Sequence, residues 1–521
     1  MPSVVINKFG ALNHLNCLLV NPNNSGIYQD LAQDFSAIEP PTWALLLAES
    51  LRSCGSDVQI LDGDAERLSS AKTAERILEA KSSIVLFVVY GQNPNSGTTG
   101  MAEVERVAKL LSDAAEDSLI GVVGSHASAL PRQVLSIDGI DFVLLNEGVY
   151  ALRNLTATNN PRKDLSSIKG VGYKLRGPTG DQLVINDPER IVPQDRMDID
   201  LPGYAWDLLP YCDKPLDMYR AHFWHAGFDF EQRIPFAAIY TSLGCQFACD
   251  FCMINIVNRI DNGEEVSAAD SRGMRFWSPS WVAREMAKLA DLGVKTLRIS
   301  DEMFFLDRRF YEPILQNVIN ENFDFNMWTY SRVDTVRPSA LELFRSSGVN
   351  WLALGVEAGN QTVRQEVSKG SFKKVGIKDI CQEVRDADIN VISNYIFGFP
   401  HDTIETMQET LDLALELNTE MANMYPCQAL PGSPVYYEAL RKGWELPSTY
   451  AGFGFLSYEA LPLPTNTLSA AEVLKFRDDA WNTYFTNPEY LNLVETRFGH
   501  AQRENVEQMT RVKLKRQLLG D

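Results

Sequence analysis

Over the first 150 residues, short apolar runs alternate with segments whose apolar positions recur at helical spacing. "CLLVNP" (17–22), "DVQILDGD" (57–64), "SIVLFVVYG" (83–91), "LIGVVGSHAS" (119–128) and "IDFVLLNEG" (140–148) read as strands running into loops. "TWALLLAESLRSCG" (42–55) reads as a helix ending at Gly55, and "MAEVERVAKLLSDA" (101–114) as another. Buried runs separated by helices imply a parallel sheet with right-handed crossovers. The pattern therefore predicts a doubly wound α/β domain over residues 1–155, with its ligand beyond the carboxyl ends of the strands. Those ends carry Asn21 and Pro22, "GQNPNSGTTG" (91–100) with Ser96 and Thr99, Gly124-Ser125-His126, and Glu147-Gly148. Such small and polar stretches let backbone approach a large ligand closely.

Residues 156–232 are mixed in pattern and rich in Asp and Pro, and read as a structured connector, because Trp206 and Trp224 would not be left in water. A second alternating series follows over 233–435. Its strands are expected at "FAAIYTS" (236–242), "TLRISD" (296–301), "FNMWTYSR" (325–332), "WLALGVEAG" (351–359), "NVISNYIFGFP" (390–400) and "EMANMYP" (420–426). Six βα units make a partial TIM-type (βα)6 barrel, with polar residues at the strand ends where barrel enzymes keep their sites. From 436 to 521 the pattern turns helical and closes on a charged tail.

A chain of 521 residues, 45% apolar and 22% charged, is long enough for two or three domains. Its net charge of −20 argues against a general electrostatic grip on nucleic acid or anionic membrane. There is no apolar run long enough to span a bilayer, and "MPSVVINKFGALNH" lacks a signal-peptide layout, so a cytoplasmic protein is expected. Eight cysteines in such a chain do not make a disulfide framework in a reducing compartment. A tight cluster of them points to metal or catalysis.

That cluster is "CQFACDFC", with Cys245, Cys249 and Cys252 at i, i+4 and i+7. Three thiols leave a structural zinc site one ligand short, and chance buried thiols are the plain alternative. Three thiolates can also hold three irons of a [4Fe–4S] cluster, leaving the fourth iron open. The stretch resembles the CxxxCxΦC signature of the radical S-adenosylmethionine superfamily, with Phe251 at the aromatic position. The resemblance implies a cluster that chelates S-adenosylmethionine and cleaves it reductively to a 5′-deoxyadenosyl radical, with flavodoxin or ferredoxin as the sort of reductant needed. It also implies S-adenosylmethionine contacts. Asp301 and Glu302 are candidates for the methionyl ammonium and Arg332 for its carboxylate. Glu357, with Gly355 and Gly359, would approach the adenosyl moiety, and Asn394 would lie near the adenine. Cys17, Cys54, Cys381 and Cys427 read as small buried hydrophobes, and Cys212 in the connector carries no assignment.

The N-terminal half resembles the Rossmann-like cobalamin-binding domain that precedes one large class of radical S-adenosylmethionine enzymes. "AWDLLP" and "LKFRDDAWNTYFTNPEYL" (474–491) extend the likeness over nearly the whole chain. The cobalamin contacts implied are Asn21, Pro22, Ser96, Thr99, Gly124, Ser125, His126, Glu147 and Gly148. The DxHxxG motif is absent, so the cobalt is expected to lack a histidine ligand. His126, in "GSHASAL", would then line the cofactor edge. His222 and His225 stand at i, i+3 among aromatics and suit pocket lining better than metal.

The class implies methyl transfer to an unactivated carbon of a small molecule or biosynthetic intermediate, with methylcobalamin as donor. Radical cyclisation or rearrangement without net methylation is the nearest alternative, and a non-catalytic cobalamin or redox sensor a more distant one. Radical methylthiolation, which normally brings three extra N-terminal cysteines and a basic RNA-binding tail, is rejected, because only Cys17 and Cys54 precede the connector and the net charge is acidic.

Overall fold

A computed structural model describes the chain outside residues 1–14, 32–34, 92–93, 113, 115–116, 176, 178–179, 211–215, 217, 226–234, 264, 369–371 and 373–375. Cys212 therefore lies outside the described residues.

The first sheet is built from β1 (Cys17–Asn21), β2 (Val58–Asp62), β3 (Ile84–Val89), β4 (Leu119–Gly124), β5 (Phe142–Leu144), β6 (Val171–Leu175) and β7 (Gln182–Ile185). Their spatial order is β2-β1-β3-β4-β5-β6-β7, with the first five parallel and the last two antiparallel. β3 and β4 are buried at every position, as their unbroken apolar runs require once helices cover both faces. The strand order reverses between β1 and β3, which is where a doubly wound sheet opens its ligand crevice. The sheet runs past the expected boundary at 155, because 171–185 folds back onto β5. That ribbon is short and half-exposed, so its alternation is too brief to read as strand.

The second sheet holds β8 (Phe236–Ile239), β11 (Thr296–Ile299), β12 (Asn326–Arg332), β13 (Val349–Glu357), β14 (Asn390–Phe397) and β15 (Met421–Pro426), all parallel and in chain order. Between β8 and β11 lies a small antiparallel ribbon, β9 (Ser242–Cys245) with β10 (Gly273–Phe276). The expected first strand 236–242 is thus split in two. The corner is held by Asp301, whose carboxylate accepts from the Thr241 N–H at 2.6 Å, the Thr241 hydroxyl at 2.7 Å and the Ser242 hydroxyl at 2.6 Å.

Local signals start the covering helices. Ser278 caps Pro279–Asp291 with proline in the first turn, and Ser469 and Glu472 form a reciprocal capping box on Ala470–Phe485. The connector is packed: Tyr204 donates to the Tyr240 carbonyl at 2.9 Å, and Ala205 N–H to the Leu45 carbonyl at 3.3 Å, joining both sheets. A buried ion pair does the same, with Arg298 on β11 donating to both oxygens of Glu39 at 2.7 and 2.6 Å. The charged tail also differs from expectation. Arg516 is 1% exposed, pairs with Asp478 at 2.9 Å and donates to the Phe455 and Ser457 carbonyls, folding the last residues back on the molecule.

Candidate active site

The carboxyl ends of the two sheets face one cavity of about 880 Å³. Ser96 and Thr99 reach it from the first sheet, and Glu302, Arg332, Gly355, Glu357 and Asn394 from the ends of the second. Phe251 enters from the thiol loop, its ring tilted against Phe399 at 5.6 Å between centroids. Residues from the C-terminal helices and tail, among them Trp481, Met509 and Leu514, close the far side.

The three thiols stand on one short loop that leaves β9, and none of Cys245, Cys249 and Cys252 is in a disulfide. Burial raises Cys245 to about 11, with Glu302 adding to the rise and Arg332 opposing it. Burial raises Cys249 to about 12, where Glu357 and the Cys245 thiol act in the same direction. Cys252 is raised well above its ordinary value by burial and then by Cys249. Each thiol thus lies within electrostatic reach of another, and all three also feel carboxylates that line the cavity. Among the described residues no three ligands converge on a single point as a mononuclear ion demands. A cubane does not require this, since each thiolate binds its own iron. The donor set fits a three-thiolate cluster whose metal keeps the thiols deprotonated despite burial.

Glu302 and Glu357 are the acids best placed to meet a ligand. Oε1 of Glu302 is buried without a partner among the described residues, and burial raises its carboxyl to about 8, against the pull of Arg298. Glu357 sits at φ 66°, uncommon for a residue with a side chain, at a break in the β13–β14 register. A bulge of this sort re-aims a side chain at a strand end. Burial raises Glu357 to about 7, with Arg332 and Arg364 pulling it down. A Cβ on Gly355 would lie 2.5 Å from Glu357 Oε1, so the glycine clears that carboxylate.

The other expected contacts are arranged differently. Asp301 does not line the cavity; its carboxylate is engaged at the β8–β9 corner. Arg332 lines the cavity but binds Asp334 through two hydrogen bonds, at 2.9 and 2.8 Å, beneath the Phe247 ring. Gly359 makes room for protein rather than ligand: a Cβ there would fall 2.4 Å from the Glu409 carbonyl oxygen. Asn394 donates to the Leu354 carbonyl and accepts from Asn423.

In the first domain, His126 is buried away from the cavity with Nδ1 3.2 Å from the Thr98 hydroxyl and Nε2 3.0 Å from Gln133 Oε1. Burial lowers its pKa to about 4, and both ring nitrogens are engaged, so it neither lines the cavity nor has a nitrogen free for cobalt. Glu147 pairs with Arg275 at 2.7 Å and accepts from the Val192 N–H, joining the first sheet to β10. Asn21 donates to Asp62, and Pro22 is buried beside it. Gly124 allows β4 to touch β3, since a Cβ would stand 2.2 Å from the Val89 carbonyl oxygen; Ser125 Oγ is buried without a partner among the described residues, and Gly148 adopts φ 72°. His222 lines the cavity, stacked on Trp224 at 5.3 Å, whereas His225 Nε2 stands 3.0 Å from the Asn326 carbonyl oxygen. Burial lowers both histidines to about 3.

Gln428, two residues beyond β15, had no place in the sequence reading. It lines the cavity, and both polar atoms of its amide are buried without a partner among the described residues. A polar residue just past an apolar strand was the available signal.

Two family models match in order: a B12 binding domain over residues 28–156 and the radical SAM superfamily over 239–414. The chain belongs to the radical SAM superfamily and carries a B12-binding domain ahead of the radical domain. It is 25% identical over 77% of its length to an uncharacterised methyltransferase of Pyrococcus horikoshii, covering 78% of that protein. It is 24% identical over 81% of its length to the anaerobic magnesium-protoporphyrin IX monomethyl ester cyclase of Cereibacter sphaeroides, covering 63% of that protein. In fold it matches the radical S-adenosylmethionine methyltransferase TsrM of Kitasatospora setae with cobalamin and [4Fe-4S] cluster bound. The TM-score is 0.63 at 16% identity, over 96% of this chain and 99% of that one. The cobalamin-dependent S-adenosylmethionine radical enzyme OxsB matches with a TM-score of 0.66 at 14% identity, over 96% of this chain and 72% of that one. Among the described residues no helix is long and apolar enough to cross a membrane.

Proposed function

We propose that the protein is a cobalamin-dependent radical S-adenosylmethionine enzyme that methylates an unactivated carbon of a small molecule. The cavity shared by the two sheets carries the reading. It places the ligand edge of the B12-binding domain, the thiol loop and the barrel's strand ends around one space. When bound, the cluster supplies an electron to S-adenosylmethionine and cobalamin supplies a methyl group.

The chain's own part is holding, orienting and excluding water. Cys245, Cys249 and Cys252 would hold the cluster, and Glu302 would accept hydrogen bonds from the methionyl amine, which completes its unpartnered Oε1. Glu357 is aimed into the same space by the register break, and Phe251 supplies an apolar wall. The aromatic wall of Trp224, Trp328 and Trp481 keeps the far end dry, as reactive radicals need. A cytoplasmic location and a flavodoxin or ferredoxin reductant belong to this reading. The kinship to a cyclase keeps radical cyclisation as the second outcome.

The test is anaerobic reconstitution followed by metal analysis and incubation with methyl-deuterated S-adenosylmethionine and a cell extract. One cobalt, roughly four irons, 5′-deoxyadenosine and a deuteromethylated product are expected. Iron and 5′-deoxyadenosine with no deuterium transfer would favour cyclisation or rearrangement. No cobalt under excess cobalamin would refute the two-cofactor reading.

A further inference from the structure

Three connections of the B12-binding domain grip the segment that carries and follows the last thiol. Asn95, after β3, accepts from the Met253 N–H at 3.0 Å and donates to Cys252 Sγ at 3.8 Å. Arg259, just past the turn Ile254–Asn258, donates to the Ser128 carbonyl in the short helix Ser125–Ala129 that opens the connection after β4. Asn146, after β5, donates to the Arg259 carbonyl at 3.3 Å. All three connections leave carboxyl strand ends, the edge where a doubly wound sheet takes its ligand. Asn95 also lines the cavity beside Ser96 and Thr99. The hydrogen bonds fix its orientation. A backbone N–H can only donate, so Oδ1 faces Met253 and Nδ2 is left toward the sulfur.

We propose that Asn95 is a positioning residue that couples the redox poise of the cluster to cobalamin occupancy. The coupling rests on the functional reading above; the hydrogen bond itself does not. An N–H donated to a cluster thiolate draws off negative charge, favours the reduced cluster and raises its potential. Cobalamin resting against Ser96 and Thr99 sets where the adjacent Asn95 amide stands, and with it the strength of that bond. Electron delivery to S-adenosylmethionine is then tuned to the presence of the methyl carrier.

The test is an EPR-monitored redox titration of reconstituted protein, with and without hydroxocobalamin. Asn95→Leu keeps the volume and loses both hydrogen bonds. Asn95→Asp keeps the acceptor for Met253 and loses the donor. Both variants are expected to retain their iron and to show a cluster about tenfold harder to reduce, or about 59 mV lower for a one-electron couple. Cobalamin should move the wild-type potential and leave that of Asn95→Leu in place. Equal cobalamin-free potentials in all three proteins overturn the hydrogen-bond role. A wild-type potential that ignores bound cobalamin overturns the coupling. A wild type that holds its cluster but takes up no cobalamin overturns the functional reading, while the cobalamin-free potentials still decide on the hydrogen bond.

Discussion

Replacing Glu302 by glutamine should change stability and ligand binding in opposite directions. The carboxyl is raised from its ordinary 4.5 to about 8, first by burial and then by Asp301, against Arg298. At about 1.36 kcal/mol per pH unit, ionising it in the ligand-free protein would cost close to 5 kcal/mol. Glu302 is partly open to the cavity, so water there screens the charge and about 2–4 kcal/mol remains. Between pH 4.5 and 8 the folded protein holds a proton that the unfolded chain has released. This group's contribution is therefore fully present below pH 4.5 and is lost as pH rises towards 8. Glu302→Gln removes that loss. Urea unfolding of ligand-free protein should show the variant gaining on wild type from pH 5 to pH 8, with the gap levelling above. Binding should go the other way. A hydrogen bond between a carboxylate and an amine is worth about 1.5–3 kcal/mol, so affinity for S-adenosylmethionine should fall roughly 10- to 100-fold, read by equilibrium dialysis on cluster-loaded protein. A variant less stable than wild type across that range, with unchanged affinity, would make Glu302 a structural residue and refute the reasoning.

Glu39→Gln should destabilise by about 3–5 kcal/mol in urea titrations, because it leaves Arg298 buried without its ion-pair partner. Burial works against the Arg298 charge and attraction to Glu39 overcomes it, so adding Arg298→Met should recover most of the loss; equal single and double variants would contradict this. Gln428→Leu should raise the ligand-free melting temperature, since two unsatisfied buried atoms cost about 1–3 kcal/mol each, and should slow product formation at least tenfold. Unchanged turnover would place Gln428 outside the ligand's reach.

Much of the architecture was legible because it rests on local rules. All five parallel strands of the first sheet and five of the six of the second fall within the apolar runs read from the sequence, and β13 only starts two residues before its run, since strands buried on both faces leave little choice of residue. The three thiols and Phe251 were legible because their spacing is set within eight residues. The ribbon at 171–185, the split of 236–242 and the anchoring of Arg516 were not, because each depends on partners far along the chain.

The sequence by itself nominated the residues for the chemistry: three thiols, the strand-end acids Asp301, Glu302 and Glu357, and a doubly wound domain ahead of them. Only the tertiary structure decided which of those groups have chemistry left to offer. Asp301, Glu147 and His126 carry the right side chains, yet each has its polar atoms engaged by other protein groups, most of them distant in sequence. Glu302, Glu357 and Gln428 remain directed at the cavity, two of them with buried polar atoms unmatched. The reason is physical: a buried polar group must find a partner, and whether protein or ligand supplies it depends on packing between elements far apart in the chain.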